Sequence, residues 1–285
     1  MYKVDNAIIL AAGTSSRFAP LSYERHKALT VVRGEVLIER QIRQLIQKDI
    51  REIYVITGYK AEQFEYLKEK FGVELIYNPY YLNRNNNSSI YVAKDYIKNS
   101  YICSADNYFI ENPFEKEVDF SYYAVVYSKE MTDEWCISTD NDGYINSVSI
   151  GGSDSWYMYG QVFWDNKFSK KFLDILESVY KKEETYGKLW EEIFIAHLDT
   201  LKMRIKKYPN NFIFEFDTLD ELRKFDVSYI NNTRSSIIKK IAEIYRCNEA
   251  EIVDINSYYG NNYEAIGITF NIKGKRNSYI YDEKL

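Results

Sequence analysis

Residues 7–27 read AIILAAGTSSRFAPLSYERHK, and the fold turns on how the first six of them are taken. Ala7–Ala12 is a continuous apolar run, too short to cross a bilayer and without polar alternation, which is the pattern of a strand buried on both faces. Working outward, EVLIERQIRQLIQKD (35–49) sets Ile38, Ile42, Leu45 and Ile46 on one helical stripe, and EIYVITG (52–58) returns to strand character. KAEQFEYLKEKFG (60–72) reads as a helix closed by a C-terminal glycine, and VELIYN (73–78) as a further strand. Strands separated by single helices require right-handed crossovers, so the spacing predicts an α/β fold with a doubly wound, largely parallel sheet.

The middle of the chain turns β-rich. SYICSADN (100–107), YYAVVYS (122–128), EWCIST (134–139), INSVSIGG (145–152) and WYMYGQVFW (156–164) are expected to be antiparallel strands that extend the sheet and wall a pocket. Two helical patterns follow at 166–182 and 187–201, then a last strand in NFIFEFD (211–217). Near Thr233 the character changes to a helix, SSIIKKIAEIYR (235–246), and three short strands within 251–282. This predicts a main domain over 1–233 and a small α+β appendage over 234–285.

The 285 residues are enough for a sizeable core. With 46% hydrophobic and 28% charged residues the composition is that of a globular protein, and the net charge of -5 disfavours a nucleic-acid backbone as partner. Three dispersed cysteines suggest neither a metal pair nor a disulfide framework. No signal-peptide order and no run of 18 apolar residues occurs, so the expectation is a cytoplasmic protein with no membrane insertion; an oligomer stays open.

In an open α/β sheet the first strand-to-helix loop is the usual phosphate site. Residues 13–17 fall there, and backbone N–H groups with Arg17 and Lys27 would suit a triphosphate. The spacing matches neither G-x-x-x-x-G-K-[ST] nor G-x-G-x-x-G, so read alone the loop is either a phosphate cradle or a turn with incidental basic residues.

The segment resembles the signature A-A-G-x-G-[ST]-R-x-x-P, followed by a lysine, of nucleotidyltransferases of the sugar-phosphate and phosphocholine type. GEVLIERQI, ITGY, NRNNNSSIY, NSYICSADNYF, DEWC, GGSDSWYMYG, GKLWEEIF and FEFDTLDELRKFD extend the likeness over about residues 5–230. Together they look like the cytidylyltransferase domain of phosphocholine cytidylyltransferases, especially bacterial chains in which it is fused to a choline or ethanolamine kinase. Residues 234–285 resemble the helix and opening strands of that kinase half. The pattern H-x-D-x-x-x-x-N is missing, since HLD at 197–199 is followed by Arg204, so no kinase activity is expected.

The resemblance implies a Rossmann-like mixed sheet of the nucleoside-diphosphate-sugar transferase type and transfer of CMP from CTP to phosphocholine, giving CDP-choline and pyrophosphate. It puts Mg²⁺ on Asp106 and Asp217, the phosphates on Lys27 and the leaving pyrophosphate on Arg17. Ala11, Ala12, Gly13 and Thr14, with Asn86, Ser89, Ser104 and Ala105, would bind the nucleotide. A quaternary ammonium needs aromatic faces and nearby carboxylates. Trp135 resembles the family's choline-contacting residue; Tyr159 or Trp190 would complete a cage, and Glu215 would add negative potential.

Leu189 stands where shorter enzymes carry a tyrosine, which leaves phosphoethanolamine or 2-aminoethylphosphonate as alternative acceptors. A sugar-1-phosphate nucleotidyltransferase and a catalytically silent docking module are the other readings. Ser15 replaces the second family glycine and would be strained at positive φ. His26 replaces a proline and is expected to be a solvated loop residue.

Overall fold

The computed structural model describes residues 1–259 and 265–281. The chain divides into two compact units, one made of Met1–Gly13 and Ile38–Phe214, the other of Thr14–Leu37 and Glu215–Leu285. The segment expected to form an appendage from Arg234 onward thus belongs to the second unit together with the loop Thr14–Leu37.

The first unit opens with the buried run as β1 (Asn6–Ala11), then α1 (Leu37–Gln47), β2 (Ile53–Thr57), α2 (Tyr66–Phe71), β3 (Glu74–Tyr77), α3 (Asn87–Val92) and β4 (Ser100–Ser104). β2 and β4 flank β1 in parallel, and β3 extends the sheet beyond β2 in the same sense. The stripe on α1 is what the periodicity predicts: Ile38, Ile42 and Leu45 are fully buried. Gly72 caps α2 at φ 70°, a conformation that costs glycine nothing.

Beyond β4 the strands are β5 (Tyr122–Ser128), β6 (Thr132–Thr139), β7 (Ile145–Gly152) and β8 (Ser155–Trp164), followed by α4 (Asn166–Val179), α5 (Trp190–Ile195) and β9 (Arg204–Lys207). β8 is the hub. It pairs antiparallel with β5 along its length on one edge, and on the other with β6 through Tyr157 and Trp156 and with β4 through Val162–Trp164. The mixed α/β sheet of the expected type is therefore present.

Two details differ from the sequence reading. SYICSADN is not an antiparallel extension: β4 lies at the sheet's centre, parallel to β1, because a strand that opens on Ser100 can pair its hydroxyl with the buried Asn6 amide (2.5 Å). β9, the basic stretch RIKK, joins β5 in parallel and was not foreseen, since its lysines mask the strand pattern. The helix read through His197 ends at Ile195, and His197–Thr200 form turns.

The core of this unit sets Trp164, Phe168, Phe172 and Trp190 against the β5–β8 face. Where β1 and β2 end, Gly58 is required: a Cβ there would sit 2.8 Å from the Ala12 carbonyl oxygen and from Tyr81, while Tyr59 donates to that same oxygen at 3.0 Å.

In the second unit the loop after Gly13 makes short helical turns at Ser16–Phe18, Leu21–Glu24 and Lys27–Leu29 and a hairpin over Val31–Val36. α6 (Leu219–Phe225) starts at a capping box of Thr218 and Glu221, and α7 (Ser236–Tyr245) at Ser235. An antiparallel sheet of β10 (Ile252–Tyr259), β11 (Ala265–Ile272) and β12 (Lys275–Ile280) completes it; residues 260–264 of the predicted strand region lie outside the described residues. Buried Arg223 ties α6 to β10 through the Ile252 carbonyl (2.7 Å). The Ser257 hydroxyl donates to the Ser16 carbonyl at 2.5 Å, which holds the loop on this sheet.

Candidate active site

Within the second unit the loop and FEFD converge. Lys27, 3% exposed, lies 3.1 Å from Asp217 Oδ1 and 3.7 Å from Glu215 Oε1. Arg17, whose side chain is 76% exposed, meets Asp217 Oδ2 at 2.9 Å. A buried ammonium is tolerable only when compensated, and here two carboxylates do so while the Phe18 ring stands 5.9 Å away. Four residues separated by up to two hundred positions thus form one charged cluster.

The loop earns its shape from the two departures noted above. Ser15 has φ 50° and ψ 45°, the left-handed conformation a glycine would take without cost. His26 corrects the expectation of a solvated residue. It is 3% exposed, and its Nδ1 accepts the Ala28 N–H at 3.1 Å, capping the short helix that carries Lys27. Where a proline would stiffen the backbone by its ring, this histidine does so by a hydrogen bond. Thr14 is exposed on the same loop.

In the first unit, Ala11 and Ala12 end β1 and are buried, and Gly13 follows at an exposed position. Ser104 is exposed at the carboxyl end of β4, and Ala105 N–H donates to the Leu10 carbonyl at 3.2 Å, so the two strand ends are locked side by side. Asp106, half-buried, follows in the turn. Gln41 holds that turn: from α1 its amide donates to the Ser104 and Asn107 carbonyls at 2.7 and 3.0 Å. Sequence reasoning missed Gln41. The signal was a glutamine beside Ile42 on the apolar stripe.

NRNNNSS is not a solvated turn. Asn87, Ser88 and Ser89 are buried, with Asn78 donating to both serine hydroxyls. Asn86 accepts the Trp190 N–H at 2.7 Å and donates to Glu191 at 3.1 Å. Its amide and the Ser89 hydroxyl therefore organise this wall. Glu191 is a second residue that sequence reasoning missed. Burial pushes its carboxyl up to about 7, against hydrogen bonds from Asn86 and from the Tyr123 hydroxyl (3.3 Å) that lower it.

Of the aromatic candidates, Trp135 on β6 and Tyr159 on β8 are half-buried. Tyr159 meets Tyr157 edge-on at 5.6 Å. Trp190 is 2% exposed, stacked on Tyr123 and packed edge-on against Trp164 and Phe172; contrary to the expectation of a cage wall, its ring belongs to the core.

Among the described residues no three His, Cys, Asp or Glu side chains cluster as a protein-only metal cage would. Mg²⁺ takes hard oxygen ligands and is commonly held by one or two carboxylates, the rest coming from substrate phosphates and water, so the lack of such a cage does not count against the carboxylates of Asp106 and Asp217.

A loop at the carboxyl end of a parallel strand, carrying a compensated lysine and an exposed arginine, suits a phosphate-rich substrate, and comparison with known proteins makes the chain a nucleotidyltransferase. Residues 7–115 match the MobA-like NTP transferase domain. The chain is 34% identical over 220 residues, 77% of its length and 96% of the relative's, to the choline-phosphate cytidylyltransferase of Streptococcus pneumoniae. It is 33% identical to the 2-aminoethylphosphonate cytidylyltransferase of Lancefieldella rimae, covering 81% of this chain and 95% of that one. The solved structure of the CTP:phosphocholine cytidylyltransferase from S. pneumoniae superposes with a TM-score of 0.75 over 78% of this chain and 97% of that one. The chain belongs to the cytidylyltransferase family that these enzymes represent.

Proposed function

We propose that this protein transfers CMP from CTP to phosphocholine, releasing pyrophosphate and forming CDP-choline. The observation that carries the reading is the Arg17–Asp217–Lys27–Glu215 cluster, formed where the loop meets FEFD, in a chain whose family transfers cytidylyl groups. In the reaction an oxygen of the acceptor phosphate forms the new bond to the α-phosphorus as the α–β bridging bond breaks, and its electron pair leaves on pyrophosphate. No side-chain nucleophile is required, so the protein's task is to position and neutralise.

Lys27 suits that task because it is charged, buried and fixed by its carboxylates before substrate arrives. Arg17, exposed beside it, has the reach and planar donor set for the leaving phosphates. Asp106 and Asp217 would hold Mg²⁺, which supplies charge neutralisation at the α-phosphate when bound. Phosphate oxygens and Asp217 compete for the same two cations, so triphosphate binding relieves the ion pairs that hold the cluster in the absence of substrate. Trp135 would offer its face to the quaternary ammonium.

Residues 234–285, a helix followed by an antiparallel sheet, are proposed to derive from the opening of a kinase half. The similarly close 2-aminoethylphosphonate relative favours a second acceptor reading. Pyrophosphate release with each of four nucleotides against phosphocholine, phosphoethanolamine, 2-aminoethylphosphonate and glucose-1-phosphate tests the two acceptor readings. The expected result is release with CTP and phosphocholine; release with 2-aminoethylphosphonate in preference selects the second reading, and release with no pair refutes both.

A further inference from the structure

We infer a second anion site in the first unit, at the amino-terminal ends of β5 and β9 and the carboxyl end of β8, built to take a small phosphorylated ligand bearing two or more negative charges. A cavity of about 590 Å³ is lined there by Lys167, Lys171, Lys202 and Arg204, with Asp119 and Asp165. Arg204 is its centre. Its guanidinium lies between the Phe120 ring (4.9 Å) and the Tyr144 ring (4.8 Å), which fix its plane.

That guanidinium makes no ion pair or hydrogen bond among the described residues, and its Nε is buried without a partner. A desolvated donor of this kind is costly until an acceptor arrives. The nearby acids do not answer it. Asp165 is spent capping α4, where it accepts the Lys167 and Phe168 N–H groups (2.8 and 3.0 Å) and the Ser121 hydroxyl (2.7 Å). Asp119 is exposed at the rim. Lys167 and Lys202 make no ion pair among the described residues, and Lys171 reaches only the Thr200 carbonyl, at 3.5 Å.

Four cations against two carboxylates leave an excess of two positive charges in a chain of net charge -5, more than a single carboxylate ligand could balance. Phosphate esters match both the charge and the fork geometry of an arginine. None of the cavity's lining residues belongs to the Arg17–Lys27–Glu215–Asp217 cluster or to the turn Ser104–Asp106, so its residues are separate from those proposed to hold the reacting phosphates.

Isothermal titration calorimetry of the full chain with inorganic tripolyphosphate tests the inference. Wild type should show two sites, one of them on the Lys27 loop. Lys27→Met should lose one and keep the other, whereas Arg204→Gln should weaken that other at least tenfold and leave turnover without added anion unchanged. Lys167→Gln/Lys202→Gln, which alters only exposed side chains, should weaken the same site about tenfold and guards against misfolding of the Arg204 variant. Unchanged binding in both the Arg204 and the double-lysine variants, or no remaining site in Lys27→Met, overturns the inference.

Discussion

Each candidate side chain carries a different kind of energy. If Asp106 ligates the metal, Asp106→Asn keeps the shape of the half-buried residue but removes its charge. Metal-dependent turnover should then fall by two orders of magnitude or more with the unfolding transition unchanged, and near-normal activity would remove Asp106 from that role. Trp135→Ala should raise KM for a quaternary acceptor far more than for CTP, by up to about 2 kcal/mol for a lost cation–π contact; equal effects would return the residue to packing. Glu191 governs stability with pH. Its folded-state value, about 7, lies above the ordinary 4.5, so the folded protein holds the proton more tightly. Stability from this group is complete below pH 4.5 and drains away as pH rises through 7, by on the order of 1–3 kcal/mol. Thermal unfolding from pH 4.5 to 8 should therefore show a slope in wild type that Glu191→Gln flattens.

Among elements, the close approach of β1's end to Gly58 is the most exposed to substitution. Gly58→Ala sets a Cβ 2.8 Å from a backbone oxygen, which cannot swing aside as a side chain would, so a loss of about 1–3 kcal/mol is expected in urea unfolding. The parallel β–α–β start was legible because Ile38, Ile42 and Leu45 repeat at helical spacing between uniformly apolar strands. β4's central place was not, since Ser100 and Tyr101 look like edge residues until Asn6 is seen to meet the hydroxyl. β9 was hidden by its charges. In the candidate site, Arg17 and Lys27 stood out as basic residues on the first strand-to-helix loop and Asp217 only through the family resemblance, and the structure brings the three together, whereas the capping role of His26 and the raised carboxyl of Glu191 depend on neighbours that no local pattern contains. In WEEIF the two glutamates read as the solvated side of an amphipathic helix, and only the Asn86 and Tyr123 contacts reveal otherwise for Glu191.

At the scale of the whole molecule, the first unit gathers Lys167, Lys171, Lys202 and Arg204 around one cavity, a local excess of cations invisible in a net charge of -5. No described helix is long and apolar enough to cross a membrane. The sheet itself has open borders, and β9 is one of them, paired with β5 and otherwise only by a single bridge to Tyr144. Its sequence is Arg-Ile-Lys-Lys, with Lys206 bound to Glu115 at 2.8 Å and Lys207 over the Trp156 ring at 4.6 Å. Replacing both lysines by threonine should leave turnover intact while light scattering on agitation rises, because an uncharged border of free N–H and C=O groups can template a neighbour's strand. The stretch whose charges concealed it as a strand is, by those same charges, a guard against polymerisation: each chain arriving edge-on would have to bury like charge against like.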